Sequence, residues 1–397
     1  MAPIKPVDPG SPPEPGRGPG LRVSWFGHAA GRRADGLSSY SDQLVRGLAD
    51  RGCTVYFHHL REDGMVAPVD DSLRTGWRGR RFKTVTVAAP GFRRAAARRL
   101  AWERPDIVHC SLSFSLADGW LAAEAHRLGA GAVVTFHLPY GRRGSGRGRV
   151  LQGLYRFWAH RLGAYDRIIV FTPEQAERLV TAGITASRCV VIPNAVDTAA
   201  FSPGPSHLRA TRLAGARFVV GYLGRLDPEK RVTTLLQGFH LAELPDSVRL
   251  VIGGRGQDEV RVRRDAEISP QVVYVGQIDG SGSRADFWRA VDLFCLVSTA
   301  EGLSLSLLEA MSSGCAVLAT AAAGSEVAGS GGVMLPVLGT VSALAKQLRR
   351  LASDPGATAE LGRLARAEAV RHHGVEAMLE RVLDVYHASA VPTARIR

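Results

Sequence analysis

The chain has 397 residues, 45% of them hydrophobic and 22% charged, and its 50 Lys+Arg against 37 Asp+Glu leave a net charge of +13. That length exceeds what one core ordinarily holds, so two domains are expected, and the apolar content is that of a folded rather than a disordered chain. No apolar run reaches the roughly 18 residues of a membrane-spanning helix. The five cysteines (Cys53, Cys110, Cys189, Cys295 and Cys315) are scattered without metal-site spacing, as expected of reduced core thiols in a cytoplasmic protein.

Taken in chain order, residues 1–20 are rich in proline and glycine, lack a signal-type apolar stretch, and read as a disordered leader. A first strand is predicted over 21–26, then a Gly36-Leu-Ser-Ser39 turn whose backbone N–H groups can approach a phosphate or an acceptor group. A helix over 39–50 follows, with Leu44, Val45 and Leu48 on its apolar side. Strand-like runs recur at 53–57, 84–88, 106–110, 132–136, 167–171 and 189–192. After a Pro203-Gly-Pro205 linker, a second series begins near 218 and recurs at 248–252, 272–275, 293–297 and 316–320. Strands alternating with amphipathic helices predict parallel sheets with right-handed crossovers. The expected fold class is therefore α/β, with two doubly wound Rossmann-like domains, residues 21–202 and 203–375, facing across a cleft.

Open sheets of this kind bind ligands at the carboxyl ends of their strands. His137 stands there, directly after Ala132-Val-Val-Thr-Phe136. It reads either as a histidine satisfied by its strand end or as a ligand contact, and the following loop Leu138-Pro-Tyr140-Gly favours contact. His109, at another strand end, is the weaker candidate and suits an acceptor pocket. Asn194 and Asp197, in Ile192-Pro-Asn-Ala-Val-Asp197, read as turn residues at the domain junction, with no chemistry assigned.

Two motifs in the second half carry more. In Val219-Val-Gly-Tyr-Leu-Gly-Arg-Leu-Asp-Pro-Glu-Lys230 an apolar strand runs into Gly224, then Arg225, a turn at Asp227-Pro228, and Lys230 opening the next helix. Two cations beside a helix N-terminus suit a diphosphate. Lys230 is one of only four lysines, the others being Lys5, Lys83 and Lys346. In Glu301-Gly-Leu-Ser-Leu-Ser-Leu-Leu-Glu309, seven residues separate two carboxylates across a glycine turn that opens a helix. Ser306-Leu-Leu-Glu309 also fits a capping box closed by Gly314, which accounts for Glu309 without a ligand but not for Glu301.

Together, Gly224-Arg225…Lys230 and Glu301-x7-Glu309-Ala-Met…Gly314 resemble the retaining glycosyltransferases of family 4, which have the GT-B fold. The resemblance covers about residues 20–375. It implies a nucleoside-diphosphate-sugar donor, UDP-sugar or GDP-mannose, and transfer to a hydroxyl acceptor without a metal ion or other cofactor. It implies that His137 lies near the reacting carbon. Arg225 and Lys230 would sit on the diphosphate, Glu301 on donor-sugar hydroxyls, and Glu309 on the ribose. Gly36, Gly224, Gly302, Leu303 and Ser304 would line sugar and phosphates, and Ile278 in Gly276-Gln-Ile278-Asp279 would face the base, where Asp279 can accept from a guanine edge. Helix 376–397 is expected to pack back on the amino-terminal domain. The pattern departs from the family at Asp35, which stands where a second glycine is usual.

Arginines cluster at 78–81, 93–94, 98–99 and 142–149, with Tyr155, Phe157 and Trp158 near the last cluster. They suggest peripheral contact with an anionic inner-membrane face and a lipid-linked acceptor, set against a general arginine bias of the composition. Nucleic-acid binding is not expected, since no recognition module accompanies the charge. The alternatives are a GT-B protein with epimerase-like chemistry, which the Glu301/Glu309 spacing argues against, and a catalytically silent scaffold, which the intact Arg225, Lys230, Glu301 and Glu309 disfavour.

Overall fold

The computed structural model describes residues 20–28, 36–61, 73–82, 85–111, 118–137, 153, 156–157, 159–299, 301, 303–320, 332–335 and 340–390. The first half runs β1 (Arg22–Gly27), α1 (Gly36–Asp50), β2 (Thr54–Arg61), β3 (Arg74–Phe82), β4 (Val85–Ala88), α2 (Phe92–Glu103), β5 (Ile107–Ser111), α3 (Asp118–Arg127), β6 (Gly131–Thr135), β7 (Arg167–Val170), α4 (Pro173–Thr181) and β8 (Cys189–Val191). The second half runs α5 (His207–Thr211), β9 (Phe218–Leu223), α6 (Val232–Leu241), β10 (Val248–Gly253), α7 (Glu259–Ile268), β11 (Val272–Gly276), α8 (Ser281–Ala290), β12 (Leu293–Leu296), α9 (Leu305–Ser312), β13 (Ala316–Thr320), β14 (Gly332–Leu335), α10 (Val341–Ser353), α11 (Pro355–His372) and α12 (Val375–Ser389). The leader, Asp35, Lys5, Lys83, the loop 138–141, the arginines at 142–149, Tyr155, Trp158 and Gly302 lie outside the described residues.

The strands form an eight-stranded sheet of order β4-β3-β2-β1-β5-β6-β7-β8 and a six-stranded sheet of order β11-β10-β9-β12-β13-β14. All neighbours pair in parallel except β3 with β4, which departs from the all-parallel expectation. β3, Arg74-Thr-Gly-Trp-Arg-Gly-Arg-Arg-Phe82, has no apolar run to announce it and was not anticipated. The strand order reverses between β1 and β5 in one sheet and between β9 and β12 in the other, which opens a crevice at each carboxyl edge.

Alternation along the strands sets the layers. Val23 and Trp25 of β1 pack with Leu44 and Leu48 of α1. Phe26 points to the opposite face, with Val108 of β5, Ala96 and Leu100 of α2 and Leu121 of α3. Helix α12 lies against α1 and β6. His109, completely buried rather than lining a pocket, is the reason this docking is specific. Its Nδ1 is 2.7 Å from the Tyr386 hydroxyl and its Nε2 is 2.8 Å from Thr135 Oγ1, and Thr135 also meets the Tyr40 hydroxyl at 3.2 Å. A strand-end histidine with both nitrogens satisfied inside the core has a structural role.

Candidate active site

The second sheet assembles most of the predicted residues at its switch point. β9 delivers Gly224, Arg225 and Lys230, and β12 delivers Ser298 and Glu301. Residues 71 positions apart meet as Lys230 Nζ bonds Glu301 Oε1 at 2.5 Å, and the Ser298 hydroxyl donates to the same oxygen at 2.8 Å. The pair is secluded, with side chains 15% and 8% exposed. Removing both charges from water is costly, and their mutual attraction and the Ser298 hydrogen bond offset part of that cost. The Thr299 N–H, donating to the Glu229 carbonyl at 2.9 Å, ties the two loops together. Burial, then the negative charge of Glu301, push the Tyr222 phenol well up, and its O–H donates to the Arg225 carbonyl at 2.8 Å.

The loop after β9 differs from the prediction in one respect. Lys230 ends a 3₁₀ turn, Pro228–Lys230, and α6 starts only at Val232, because Arg231 takes a left-handed φ of 53° between them. Lys230 is therefore placed by a rigid turn rather than by the helix. Arg225 is 61% exposed and its guanidinium bonds Asp227 and, at 3.0 Å, Glu229. Burial lowers its pKa, but the Asp227 and Glu229 carboxylates outweigh that and hold it up. Gly254 lets the loop ends close up: a Cβ there would meet the Gly224 carbonyl oxygen at 1.8 Å, and the Gly224 N–H donates to the Gly253 carbonyl at 3.1 Å.

Glu309 does not close a capping box. The N-cap of α9 is Ser304, without a side-chain cap bond, which puts Glu309 two residues past the capping-box position. Its carboxylate, nearly completely buried, instead accepts from Trp288 Nε1 at 3.0 Å and from Arg284 Nε at 3.2 Å, and Arg284 closes on its second oxygen. Gly314, with φ 87°, does end that helix. Ile278 is half-buried and turned toward the sheet, where a Cβ on Gly253 would meet its Cδ1 at 3.3 Å; Asp279 is exposed and accepts from Gln277 Nε2 at 2.7 Å. Leu303 is buried, and the Asn194 side-chain N–H donates to its carbonyl at 2.8 Å. Asn194 thus anchors the glutamate loop to the chain leaving β8, whereas Asp197 caps its own turn by accepting from Ala199 and Ala200.

The first sheet contributes His137, at the end of β6 and one strand from the switch point. Its Nε2 lies 2.8 Å from Ser111 Oγ at the end of β5, and its ring meets Tyr40 edge-on with centroids 5.0 Å apart. Burial, and then the charge of His28, push its pKa down to about 3, so the imidazole is neutral at physiological pH. A neutral ring can donate or accept a hydrogen bond but brings no charge. Gly36 is the first residue of α1 rather than part of a loop before it. The structure thus gathers Arg225, Lys230, Glu301, Leu303, Ser304 and Gly224 around one switch point, with Glu309 on the helix that follows, and keeps Ile278 at the end of β11, two strands from β9. Arg284, Trp288, Ser298 and Ser111 were missed, and Asn194 was read only as a turn residue at the domain junction. Only Trp288 and Arg284 offered a signal, as a buried indole and a cation on the helix beside Glu309.

Residues 34–200 match the family described as Glycosyltransferase Family 4, and residues 217–354 match Glycosyl transferases group 1. The chain is 30% identical over 365 residues to a D-inositol 3-phosphate glycosyltransferase of Actinosynnema mirum, covering 81% of this chain and 85% of that one. It is 30% identical over 224 residues to a GDP-mannose-dependent alpha-mannosyltransferase of Mycolicibacterium smegmatis, covering 55% of this chain and only 57% of the relative. The fold matches that of the HepE protein of Anabaena in complex with UDP and glucose, with a TM-score of 0.74, 17% identity, and coverage of 93% of this chain and 100% of that one. With its two open, mainly parallel sheets and both halves matched in order, the chain belongs to glycosyltransferase family 4 and has the GT-B fold.

Proposed function

We propose that the protein transfers a sugar, with retention, from a nucleoside-diphosphate sugar to a hydroxyl acceptor, without using a metal ion. The observation that carries this is the secluded Lys230–Glu301 pair at the β9/β12 switch point. An ammonium and a carboxylate held together there match the two ends of a glycosyl phosphate: the cation meets the leaving diphosphate, and the carboxylate meets sugar hydroxyls. Glu309, held by Arg284 and Trp288, is the carboxylate for the ribose. The relatives named for D-inositol 3-phosphate and for GDP-mannose support a polar hydroxyl acceptor, lipid-linked or soluble, and keep GDP-mannose beside UDP-sugars as donor.

In this reading the anomeric carbon–oxygen bond to the diphosphate breaks while the acceptor oxygen bonds the same carbon from the same face. The acceptor proton passes to the departing phosphate oxygen. Lys230, Arg225 and the N–H groups opening α9 stabilise the charge that grows on the diphosphate. His137, neutral and held by Ser111, orients the sugar and takes no net charge through the step. Because the contributions are orientation and leaving-group stabilisation, losing one charge-assisted contact should lower turnover about tenfold or more.

The test is calorimetric titration of the protein with UDP, GDP, ADP and TDP in EDTA, alongside turnover of Lys230→Ala and Arg225→Ala. One diphosphate is expected to bind at micromolar concentration and to be lost in Lys230→Ala, while thermal melting confirms that the variant folds. Binding of none of the four, or full turnover by both variants, would refute the assignment. Of the two, Arg225→Ala is expected to be milder, since its side chain is more exposed and already paired with two carboxylates.

A further inference from the structure

Glu309 lies in the middle of α9 with its side chain only 4% exposed, and the neighbouring α8 supplies three N–H groups to its carboxylate. Trp288 Nε1 and Arg284 Nε both donate to Oε2, at 3.0 and 3.2 Å, and Arg284 Nη2 closes on Oε1. Residues one turn apart on a single helix therefore grip both oxygens. The fork is braced from behind. The Arg284 guanidinium lies 5.7 Å over the Phe201 ring, and the Phe201 carbonyl accepts from the Ser312 hydroxyl, at the end of α9, at 2.6 Å. A guanidinium stacked by its face presents its edge to a carboxylate, and this one cannot turn away without giving up both contacts.

A carboxylate has about four acceptor positions, two on each oxygen. The indole and Arg284 Nε take both positions on Oε2, and Arg284 Nη2 takes one on Oε1, so the described residues leave one more on Oε1. The ribose of a nucleoside diphosphate offers two neighbouring hydroxyls, one more than that. A diol could span both oxygens only by displacing the fork, and a buried guanidinium left without its carboxylate costs more than one further hydroxyl hydrogen bond returns. We propose that Arg284 is a positioning residue that sets nucleotide specificity: by forking Glu309 it restricts the carboxylate to a single ribose hydroxyl, accepted on Oε1. This rests on the reading of Glu309 as the carboxylate for the ribose. The site then distinguishes removal of one hydroxyl from removal of the other. If Arg284 only steadied α8 against α9, its loss would change affinity for every nucleotide by the same factor and leave those ratios untouched.

The protein is titrated by calorimetry with UDP, GDP and ADP and with the 2′-deoxy and 3′-deoxy form of each, and the series is repeated on Arg284→Lys and Arg284→Met. With the diphosphate that binds, deleting one hydroxyl is expected to weaken binding to the unaltered protein about tenfold or more, and deleting the other about twofold or less. Lysine keeps the charge but fills fewer acceptor positions than the fork, and methionine fills none, so in both variants the carboxylate has room for the diol. Each deletion is then expected to weaken binding about fivefold or more. Equal weakening by both deletions in the unaltered protein would overturn the inference, since the guanidinium would then swing aside for a diol; so would variants that keep the unaltered protein's ratios. If a diphosphate binds and neither deletion matters, Glu309 is not the carboxylate for the ribose and the inference falls with that assignment. If no diphosphate binds, the donor-site reading itself fails and takes the inference with it. Thermal melting reports that each variant is folded, and Arg284→Lys carries the test alone should Arg284→Met not fold.

Discussion

His137 and His109 are the residues whose environments most alter their chemistry. Burial holds both below the ordinary histidine pKa, His137 at about 3 and His109 well down, each with the charge of another histidine as the second cause. Between that value and about 6.5 the unfolded chain binds protons that the folded chain does not, so stability rises with pH across the window and is complete above it. The expected outcome is a thermal midpoint that falls as pH drops from about 6.5 toward 4, with a shallower slope in His137→Gln; equal slopes would place the effect elsewhere. Glu103 acts in the same direction at lower pH. Burial raises its pKa, but His58, Ser24 and Arg99 outweigh that, so its contribution is present above the unfolded carboxylate range and fades as pH falls through its folded value. Sequence located His137 correctly at a strand end. It ranked His109 as the weaker candidate for an acceptor pocket, but only packing shows that Tyr386 and Thr135 saturate it inside the core.

Among elements, α12 is the most instructive, since it docks on α1 and β6 through two glycines. A Cβ on Gly47 would meet Leu379 Cδ1 at 2.3 Å, a side-chain end that can rotate away. A Cβ on Gly131 would meet the Ser389 carbonyl oxygen at 2.3 Å, which is backbone and yields only if the helix end moves. Gly131→Ala should therefore lower the thermal midpoint more than Gly47→Ala, and the reverse order would show that the helix end is soft. Neither glycine was legible as a contact point, because the residue each one meets lies far along the chain, Leu379 for Gly47 and Ser389 for Gly131. The start of α6 illustrates the same limit: Asp227-Pro228 announced a turn, but not that Arg231 would enter the left-handed region and hold Lys230 short of the helix.

Across the molecule, one apolar cluster runs from β1 and α1 through Ile192, Val196 and Phe201 into β9, β12 and α12. A core continuous across both sheets favours cooperative unfolding even though two folding units are legible in the sequence. Tryptophan fluorescence and far-ultraviolet circular dichroism should report one coincident denaturant transition, and two separated midpoints would show that the halves unfold independently.

The strand–helix alternation, the glycine-limited strand ends and the Glu301–Glu309 spacing were read from sequence because each is local: period, turn chemistry and order along the chain suffice. Through them the fold class, the family and the face bearing the candidate site were set by the sequence itself. What tertiary structure alone decided is which partners those residues have. Lys230 reaches Glu301 because β9 and β12 are neighbours across a reversal of strand order. Glu309 is held by Arg284 and Trp288 because α8 packs beside α9. His109 is silent because α12 returns to cover it. Partnership of this kind depends on non-local packing, on which buried polar group finds a hydrogen bond, and no short-range pattern encodes it.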